Sequence, residues 1–491
     1  MLGFSIFKKR KQQLRSAPRQ RQYFAAAKVD RLTENWRGIK SSADVGVQMT
    51  LTRLRARSRQ LAVDNDYARR FYKLLRSNVV GSQGIGMQVR AIDKETKDGV
   101  IFDDYANRTI EQAWYEWAKK KYCTIDGRLS FIDVQQMLIE TVAKDGEILV
   151  RKIRGKSAGN QFAFAIQLLE ADHLDENYNV ALANGNRIRM GIEYNAWNRP
   201  IAYHVLTRHP GDMLYQGNYA SDRYERVPAE DMLHLYIPER PSQSRGVPWM
   251  ISAMRRMKML GTYEENELVA AGVAAAKMGF FKSSDGEQYE GTDQDADGNL
   301  ITEAEPGIFE QLPPGVEFQA WDPQHPATSF ASFIKSMLRG AASGLGVSYT
   351  TLSNDLEGVS YSSIRQGTLE ERDGWRLLQT WMIEHFCADI FESWLVMALT
   401  TQKITLPLSK FEKFNAPVWR PRGWSWVDPL REVKSNIEAV NAGFMSAQDV
   451  ASQQGQDIED IYAQLKLEKD LREKHGVVLG TPDLNGMNTG G

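Results

Sequence analysis

The stretch SFIDVQQMLIETVAKDGEILVRKI, residues 130–153, contains the signals for a helix followed directly by a strand. Ser130 and Asp133 have the spacing of a capping box, in which each side chain accepts a hydrogen bond from the other residue's backbone N–H. Asp145 and Gly146 end the helical pattern, and the β-rich run EILVRKI follows at once. The stretch therefore predicts a helix-to-strand unit, which is typical of an α+β fold.

The sequence on either side of this unit extends the same pattern. Residues 102–121 show an amphipathic helical pattern that carries Trp114 and Trp117. Four further β-rich runs follow the first and are separated by loops: FAFAIQLLE (162–170), RIRMGIEY (187–194), IAYHVL (201–206) and MLHLYI (232–237). We therefore expect helices that precede a mixed or antiparallel sheet.

The second half of the chain is mainly helical. Residues 249–278 are rich in Met and Ala, and another helix is predicted from about Thr328 to Leu345. A longer helix is predicted from about Tyr361 to Leu399, because its apolar residues share one face: Leu378, Met382, Phe386, Ile390, Trp394 and Met397. Asp428 and Pro429 have the residue types of a helix N-cap and first position, so a final helical series is predicted to begin there.

Composition places the chain among ordinary globular proteins. Of its 491 residues, 42% are hydrophobic and 25% are charged, and the mean hydropathy is -0.45. These values exclude an integral membrane protein and a wholly disordered chain. Cys123 and Cys387 stand far apart without the spacing of zinc ligands, so we expect neither a disulfide framework nor a zinc site. The N-terminus lacks the charge order of a secretory signal, and we expect no export.

Charge is strongly segregated along the chain, although the formal net charge is only -1. Residues 1–60 hold 15 Lys and Arg against 3 acidic residues, which predicts a basic, mobile arm that contacts an acidic partner or is simply solvated. Residues 283–317 hold ten acidic residues and no Lys, Arg or His. This segregation is the first indication of function.

Sequence motifs for catalysis or cofactor binding are not supported. The tripeptide at 155–157, Gly-Lys-Ser, lacks the earlier glycine of a phosphate-binding loop, and neither GxSxG nor HExxH occurs. The stretch DQDADGNLITEAE (293–305) resembles an EF-hand loop but has Ala304 in place of the bidentate carboxylate. We therefore expect an acidic turn there, and no catalytic residue, cofactor or metal ion.

Six segments occur in an order that resembles the lambda-type family of tailed-phage portal proteins. They are spread over most of the range 60–475: NVVGSQGIGMQVRA (78–91), SRGVPW (244–249), LPPGVEF (312–318), SMLRGAASGLGVSYTTLSNDLEGVSYSSIRQG (336–367), WSWVDPLRE (424–432) and AGFMSAQDVASQQGQD (442–457). The resemblance implies a helix-rich α+β portal fold, with a mixed α/β wing, a helical stem, a clip, a tunnel loop and a helical crown. It also implies a structural conduit and not an enzyme.

The resemblance suggests the following division of the chain: a basic arm (1–60), the wing (61–248), a stem helix (249–282), an acidic clip region (283–317), the tunnel loop with its following helix (318–345), a return to the wing (346–427), crown helices (428–480) and a disordered tail (481–491). Two groups of residues become site candidates. The acidic clip or channel candidates are Asp285, Glu287, Glu290, Asp293, Asp295, Asp297, Glu303 and Glu305. The tunnel-loop candidates are Ala320, Trp321, Asp322, Gln324 and His325.

The resemblance further implies partners and a location. The chain would form a ring, usually of about twelve copies, at one capsid vertex of the virion after assembly in the host cytoplasm. Its expected partners are the terminase large subunit, a head-tail adaptor, the capsid or scaffold protein, and double-stranded DNA without sequence preference, but no membrane. Two alternatives stay open: a metal-dependent DNA-processing enzyme that uses the clustered carboxylates, and another head-assembly or connector protein.

Overall fold

The computed structural model describes residues 40–96, 99–212, 224–275, 279–283, 316–320, 330–424, 429–454 and 456–476. The helices in these ranges are α1 Ala43–Asp64, α2 Asp66–Leu75, α3 Asp104–Trp117, α4 Lys120–Cys123, α5 Phe131–Asp145, α6 Ile251–Ala275, α7 Phe330–Leu345, α8 Tyr349–Ser353, α9 Tyr361–Met382, α10 Ala388–Thr400, α11 Phe411–Phe414, α12 Pro429–Asn441, α13 Ala447–Gln453 and α14 Ile458–His475.

The strands in the same ranges are β1 Gly86–Val89, β2 Ile92–Thr96, β3 Gly99–Phe102, β4 Glu147–Arg154, β5 Phe164–Leu169, β6 Val180–Ala181, β7 Arg187–Arg189, β8 Ile192–Tyr194, β9 Pro200–Leu206, β10 Tyr224–Pro228, β11 Met232–Tyr236, β12 Gly279–Ser283, β13 Val316–Ala320 and β14 Pro417–Arg420. All the ladders between these strands are antiparallel. The helix-rich α+β class predicted from the sequence is confirmed. No helix within the described ranges is long and apolar enough to cross a lipid bilayer.

Helix α5 and strand β4 form the unit that the sequence predicts. The capping box is present, because Ser130 Oγ accepts from the backbone N–H of Asp133 and Asp133 Oδ2 accepts from that of Ser130. Gly146 ends α5 with φ +91°, a left-handed conformation that costs other residues roughly 1–2 kcal/mol. A Cβ at Gly146 would also collide with the backbone of Val247, so glycine permits two chain segments to approach closely.

Two sheets follow α5 in successive layers, and the first of them lies against the helices. One has the strand order β11-β4-β5 and the other β10-β9-β8-β7-β6. Along β4, Ile148 and Val150 join the main hydrophobic core, whereas Leu149 joins a second core with Ile192 and Tyr203 of the five-stranded sheet. Because successive side chains of a strand point to opposite faces, the three-stranded sheet separates the helices of the main core from the five-stranded sheet.

Aromatic side chains fill the main core on the helical side. The ring centroid of Trp114 lies within 5.4 Å of four other ring centroids, those of Trp117, Phe131, Phe391 and Trp394. Three of these four contacts are edge-to-face, a favourable arrangement for aromatic quadrupoles. The two tryptophans of the predicted amphipathic helix are therefore core residues that join α3 to α5 and α10.

The long helix predicted from about Tyr361 to Leu399 is present. Helix α9 continues through one π-helical turn at Ile383–Cys387 into α10. Phe386 and Cys387 of this turn are fully buried. A π turn holds one extra residue and so changes which side chains face the core. The apolar side chains before and after this turn therefore both face the core.

The strand after α11 returns to the first strand of the chain. Strand β14 pairs with β1, with Gly86 opposite Arg420. Gln379 of α9 is buried and donates its side-chain amide to the backbone oxygens of Val79 at 3.3 Å and Arg422 at 3.0 Å. Segments more than 300 residues apart in sequence thus share one core.

The last three helices, α12 to α14, bury few side chains. Asp457 caps α14 and is 1% exposed, and its Oδ2 accepts hydrogen bonds from Arg90, at 2.7 Å, and from Arg420. This ionic contact ties the C-terminal helices to β1 and β14. Apolar side chains such as Leu430 and Phe444 stay exposed in the single chain.

Three predictions of local structure are wrong. The basic arm was expected to be mobile through residue 60, but α1 begins at Ala43, and its Arg55 is buried by partners distant in sequence. The helix expected over 249–282 does not extend that far, because 279–283 form β12. The run 187–194 is not one strand but the hairpin of β7 and β8, which turns at Gly191 with φ +82°.

Candidate functional site: two paired helices and the ionic cluster that supports them

Strands β12 and β13 pair across the two ends of the acidic segment. Ser283 lies opposite Val316, and Gly279 lies opposite Ala320. The eight acidic candidates fall between these strands and lie outside the described residues: Asp285, Glu287, Glu290, Asp293, Asp295, Asp297, Glu303 and Glu305. The EF-hand-like stretch lies there too. The acidic segment therefore leaves and re-enters the described structure at adjacent positions.

One tunnel-loop candidate, Ala320, is the last residue of β13, where it pairs with Gly279. The other four lie outside the described residues: Trp321, Asp322, Gln324 and His325. Residues 321–329 connect β13 to α7. Both predicted functional segments therefore belong to the stretch of chain between α6 and α7.

Helices α6 and α7 pack against each other in antiparallel orientation. Ser252 near the start of α6 donates its hydroxyl to the backbone oxygen of Gly344, near the end of α7, at 3.1 Å. Tyr263, further along α6, lies 5.7 Å from Phe330 and 5.2 Å from Phe333 between ring centroids. The remaining twelve residues of α6 extend about 18 Å further, at 1.5 Å per residue.

Small residues of the SMLRGAASGLG stretch make this pairing possible. A Cβ at Gly340 would collide with the guanidinium of Arg256, and a Cβ at Gly344 would lie 2.8 Å from Ser252 Oγ. Ala341 and Ala342 are buried in the main core. The small residues of the motif therefore leave room for the Arg256 and Ser252 side chains of α6 between the two helices.

Helix α6 is also fixed to α2 and its N-cap. Asn65 Nδ2 donates to the backbone oxygen of Met257 at 3.4 Å. The hydroxyl of Tyr67 donates to Glu264 Oε1 at 3.0 Å. Burial and the neighbouring carboxylate of Glu264 raise the pKa of Tyr67, so the phenol stays protonated and keeps donating.

Helix α6 also exposes large apolar side chains. Met259, Leu268 and Val269 are 62%, 75% and 62% exposed, and at 3.6 residues per turn they point to different sides of the helix. Large apolar side chains exposed along one helix are typical of a subunit contact, so α6 is a candidate helix for self-association.

The N-terminal end of α6 begins at a buried ionic cluster. Arg245, in the SRGVPW motif just before α6, is fully buried. Its guanidinium donates to three backbone oxygens, those of Ala171, Leu174 and Met190, at 3.0–3.1 Å, and to Glu147 Oε1 at 2.8 Å. This geometry uses the fixed fork of arginine, which lysine cannot reproduce.

Glu147, the first residue of β4, is the centre of this cluster. Beside Arg245, its carboxylate accepts from Arg55 Nη2 of α1, His234 Nε2 of β11 and the backbone N–H of Gly246, each at 2.8 Å. One buried carboxylate thus holds four parts of the chain: α1, β4, β11 and the lead-in to α6. A second ion-pair group, Arg59 with Asp145 and Asp172, lies next to it.

The charge state of the cluster follows from its contacts. Burial alone would raise the pKa of Glu147, but the positive charge of Arg245, the hydrogen bond from His234 and the charge of Arg55 outweigh burial and hold that pKa well below its usual range. Burial lowers the pKa of His234. Glu147 is therefore ionised and His234 neutral at pH 7, with its Nε2–H aimed at the carboxylate.

Sequence reasoning missed this cluster. Residues 147, 234 and 245 show no common spacing, and Arg55 falls in the segment predicted to be mobile. The only sequence feature that includes a residue of the cluster is SRGVPW, which contains Arg245 and which the sequence analysis uses only for the family resemblance. A single arginine followed by glycine cannot indicate a buried ion pair without knowledge of its distant carboxylate partner.

Only one group of side chains in the described part of the chain could hold a metal ion: Glu170, Asp172 and His209. Arg59 Nη2 already lies 3.2 Å from Glu170 Oε2 and 2.5 Å from Asp172 Oδ2. A cation would have to displace this guanidinium, which is also paired with Asp145. The group is therefore best explained as a surface ion-pair network.

We predict that Glu147→Gln lowers the free energy of unfolding by about 3–5 kcal/mol at pH 7, because two buried guanidinium groups lose their only shared carboxylate. The carboxyl has a lowered pKa in the fold, so its contribution is complete above its ordinary pKa of 4.5 and is lost as pH falls below that value. The difference in the free energy of unfolding between wild type and Glu147→Gln should therefore become smaller in acid. Denaturant unfolding at pH 7 and pH 3.5 measures both effects.

Glu225→Gln is the matched control, since Glu225 pairs with Arg151 at the surface, where its side chain is 47% exposed. Its removal should cost at most about 1 kcal/mol. If Glu147→Gln and Glu225→Gln lower the free energy of unfolding equally, the role assigned to the cluster is contradicted. The same holds if the difference in stability between wild type and Glu147→Gln does not change with pH.

The sequence matches the family model described as "Phage portal protein, lambda family" over residues 29–379. The chain is 36% identical over 470 residues to the probable portal protein of Halomonas phage phiHAP-1, covering 94% of this chain and 88% of that protein. It is 23% identical over 492 residues to portal protein B of Escherichia phage lambda, covering 90% of this chain and 88% of that one.

Among solved structures, a chain from the neck of a native GTA particle, computed with C12 symmetry, aligns with a TM-score of 0.44 and 10% identity, over 81% of this chain and 93% of that one. The family model covers well over half of the sequence, and the Halomonas phage relative covers almost all of it. The chain therefore belongs to the lambda family of phage portal proteins.

Proposed function

We propose that this chain is the subunit of a portal ring of about twelve copies at one vertex of a phage capsid. A separate terminase drives double-stranded DNA inward through the channel of this ring, and the DNA leaves through the same channel towards the tail. The observation that carries the proposal is the family match over residues 29–379, which includes both the layered wing and the α6–α7 pair.

The described elements can be assigned to parts of such a ring. Helices α1 to α5 with the two sheets form the wing, to which α8 to α11 and β14 return. Helices α6 and α7 form the stem, β12 and β13 form the base of the clip, residues 321–329 form the tunnel loop, and α12 to α14 form the crown. The basic segment 1–39, outside the described residues, is assigned to an acidic partner such as capsid or scaffold protein.

The exposed apolar side chains of α6 support ring formation. Met259, Leu268 and Val269 lose contact with water only when another molecule covers them. Each copy in a closed ring has two neighbours, which can cover such side chains in every copy, and closure leaves no unpaired end that could extend into a fibre. The Ala-rich end of α6 permits close approach of neighbouring helices.

The acidic segment supports passage of DNA. A channel lined by Lys and Arg would bind phosphates through counterion release and hold the DNA in place. Residues 284–315 contain acidic residues and no Lys, Arg or His, so they repel phosphate within about 10 Å at ~0.1 M salt. The paired strands β12 and β13 hold the two ends of this segment at one position.

We assign the chain no catalytic step. The work of translocation belongs to the terminase large subunit, which meets the ring at the clip during packaging, and a head-tail adaptor takes that place afterwards. The family match does not favour the alternative of a metal-dependent enzyme. In the one metal-compatible group of the described ranges, both carboxylates already pair with Arg59.

The first test is the mass of the purified protein. Twelve copies of the 55.7 kDa chain give a particle of about 668 kDa, because a closed ring has a fixed copy number. Mass photometry or light scattering should show this single assembled species, and negative-stain images should show rings. A stable monomer at high protein concentration would contradict the proposal.

The second test concerns the acidic segment. Replacing Asp293, Asp295 and Asp297 together with Lys should leave ring mass unchanged but reduce DNA packaging severalfold, because each added ammonium group attracts phosphate. Added salt should ease the defect by screening that attraction. Packaging is measured as nuclease-protected DNA in a reconstituted or complementation assay at several salt concentrations.

The control is the triple change to Asn, which removes the carboxylates without adding positive charge, and it should package better than the Lys variant. If chelation of divalent cations from wild type reproduces the defect, the segment binds a cation instead. Normal packaging by the Lys variant at low salt would show that the segment is a solvated loop.

A further inference from the structure

A groove of about 770 Å³ lies between α1, α2 and α5 and reaches the start of β4 and the end of β5. Part of its lining is apolar. Val63 and Met137 are 75% and 43% exposed there, and Leu168 and Leu169 are only half-buried. Apolar side chains within a concave surface favour binding, because a ligand that covers them removes them from water. We call this surface the α2–α5 groove.

The acidic side chains of the α2–α5 groove are already paired within the chain. Arg59 Nη2 lies 2.8 Å from Asp145 Oδ2 and 3.2 Å from Glu170 Oε2. Glu140 is shared between two cations, because its carboxylate lies 3.5 Å from Arg76 Nη1 and 3.7 Å from Lys144 Nζ. These three carboxylates are the acidic residues that line the groove, and three of its cations are used to pair with them.

Two further cations of the groove, Arg69 and Lys73 of α2, have no such partner among the described residues. Both side chains are exposed, and neither forms a salt bridge or a side-chain hydrogen bond with that part of the chain. They stand one helical turn apart, about 6 Å along the axis, and therefore point the same way. Arg76 continues the row at the next turn. The groove thus carries two positive charges that its own carboxylates do not balance.

These features select a ligand that is both acidic and apolar. A free anion or the backbone of duplex DNA would pair with Arg69 and Lys73 but would leave Val63 and Met137 uncovered. A segment of a protein can satisfy both requirements, with Asp or Glu towards α2 and apolar side chains towards α1 and α5. Carboxylates four residues apart on a helix lie about 6 Å apart, which matches the spacing of the two cations.

We propose that the α2–α5 groove binds an acidic segment of a partner protein. The carboxylates of this segment pair with Arg69 and Lys73, and its apolar side chains cover Val63 and Met137. The groove lies within one chain, so this inference goes beyond the proposed function and does not depend on how many copies assemble.

Binding of a synthetic peptide tests the charge pairing. The probe is a labelled helical peptide that has Leu at every third or fourth position and Glu at the positions between, and its binding to the full chain is followed by fluorescence anisotropy. Arg69→Glu/Lys73→Glu should weaken binding at least tenfold, because two attractive charges become repulsive. Added salt should weaken binding to wild type, since it screens the same attraction.

Arg53→Glu/Arg57→Glu is the matched control. It makes the same change of charge at two exposed arginines one turn apart on α1, and neither residue lines the groove. Because screening limits the reach of surface charges, this variant should change the affinity by less than about threefold. Equal losses of affinity in the two variants would show that the peptide responds only to net charge, and would overturn the proposal.

Protection of an introduced cysteine locates the bound peptide. Cys123 and Cys387 are buried, so Met137→Cys provides an accessible thiol in the groove, and Ala56→Cys provides one on α1 outside it. A saturating concentration of the peptide should slow alkylation of Met137→Cys about fivefold or more and leave that of Ala56→Cys unchanged. A peptide of the same composition without an apolar face should give much weaker protection. Equal protection by the two peptides would contradict the role of the apolar lining.

A short DNA duplex is tested in the same assays as the other candidate ligand. If the duplex protects Met137→Cys and loses affinity in Arg69→Glu/Lys73→Glu, while the peptide does neither, the groove binds nucleic acid and the proposal is wrong. If neither probe binds, the proposal is also wrong. In both cases a ring of the expected mass would leave the proposed function standing.

Discussion

The buried carboxylate of Glu147 is the constraint on which the rest of the structure depends. It receives hydrogen bonds from Arg55, His234, Arg245 and the backbone of Gly246, and so joins α1, β4, β11 and the lead-in to α6. Buried charges are stabilising only when their geometry is complete, so each of these elements needs the others in place. The close approach of Gly146 and Gly246 lets the backbone reach this arrangement.

The cluster determines where α6 begins, and the acidic segment lies between α6 and α7 in the chain. Helix α6 starts beside Arg245, packs antiparallel to α7, and leads into β12, which pairs with β13. Packing can therefore be followed from Glu147 along the α6–α7 pair, and β12 and β13 lie between these two helices in the chain. A ring built from such subunits would hold its acidic segments at equivalent positions around an axis, where their repulsion of DNA phosphate adds up.

Local signals were sufficient to predict much of the fold. The capping box at Ser130, the break at Gly146 and the long helix up to about Leu399 depend on neighbours within a few residues, and all are confirmed. The helix at 43–60 and the ionic cluster depend on partners about 90 or more residues away, which a pattern within one segment cannot reveal. The acidic and tunnel-loop candidates, apart from Ala320, lie outside the described residues and stay predictions.

The proposed ring places the β12–β13 end of each subunit at the channel, and cryo-electron microscopy of the purified assembly would show this arrangement. We expect a ring in which α6 and α7 lie closer to the axis than the three-stranded and five-stranded sheets, and in which β12 and β13 project along the channel. A ring with these two sheets innermost and β12–β13 on the outer perimeter would contradict the proposed arrangement.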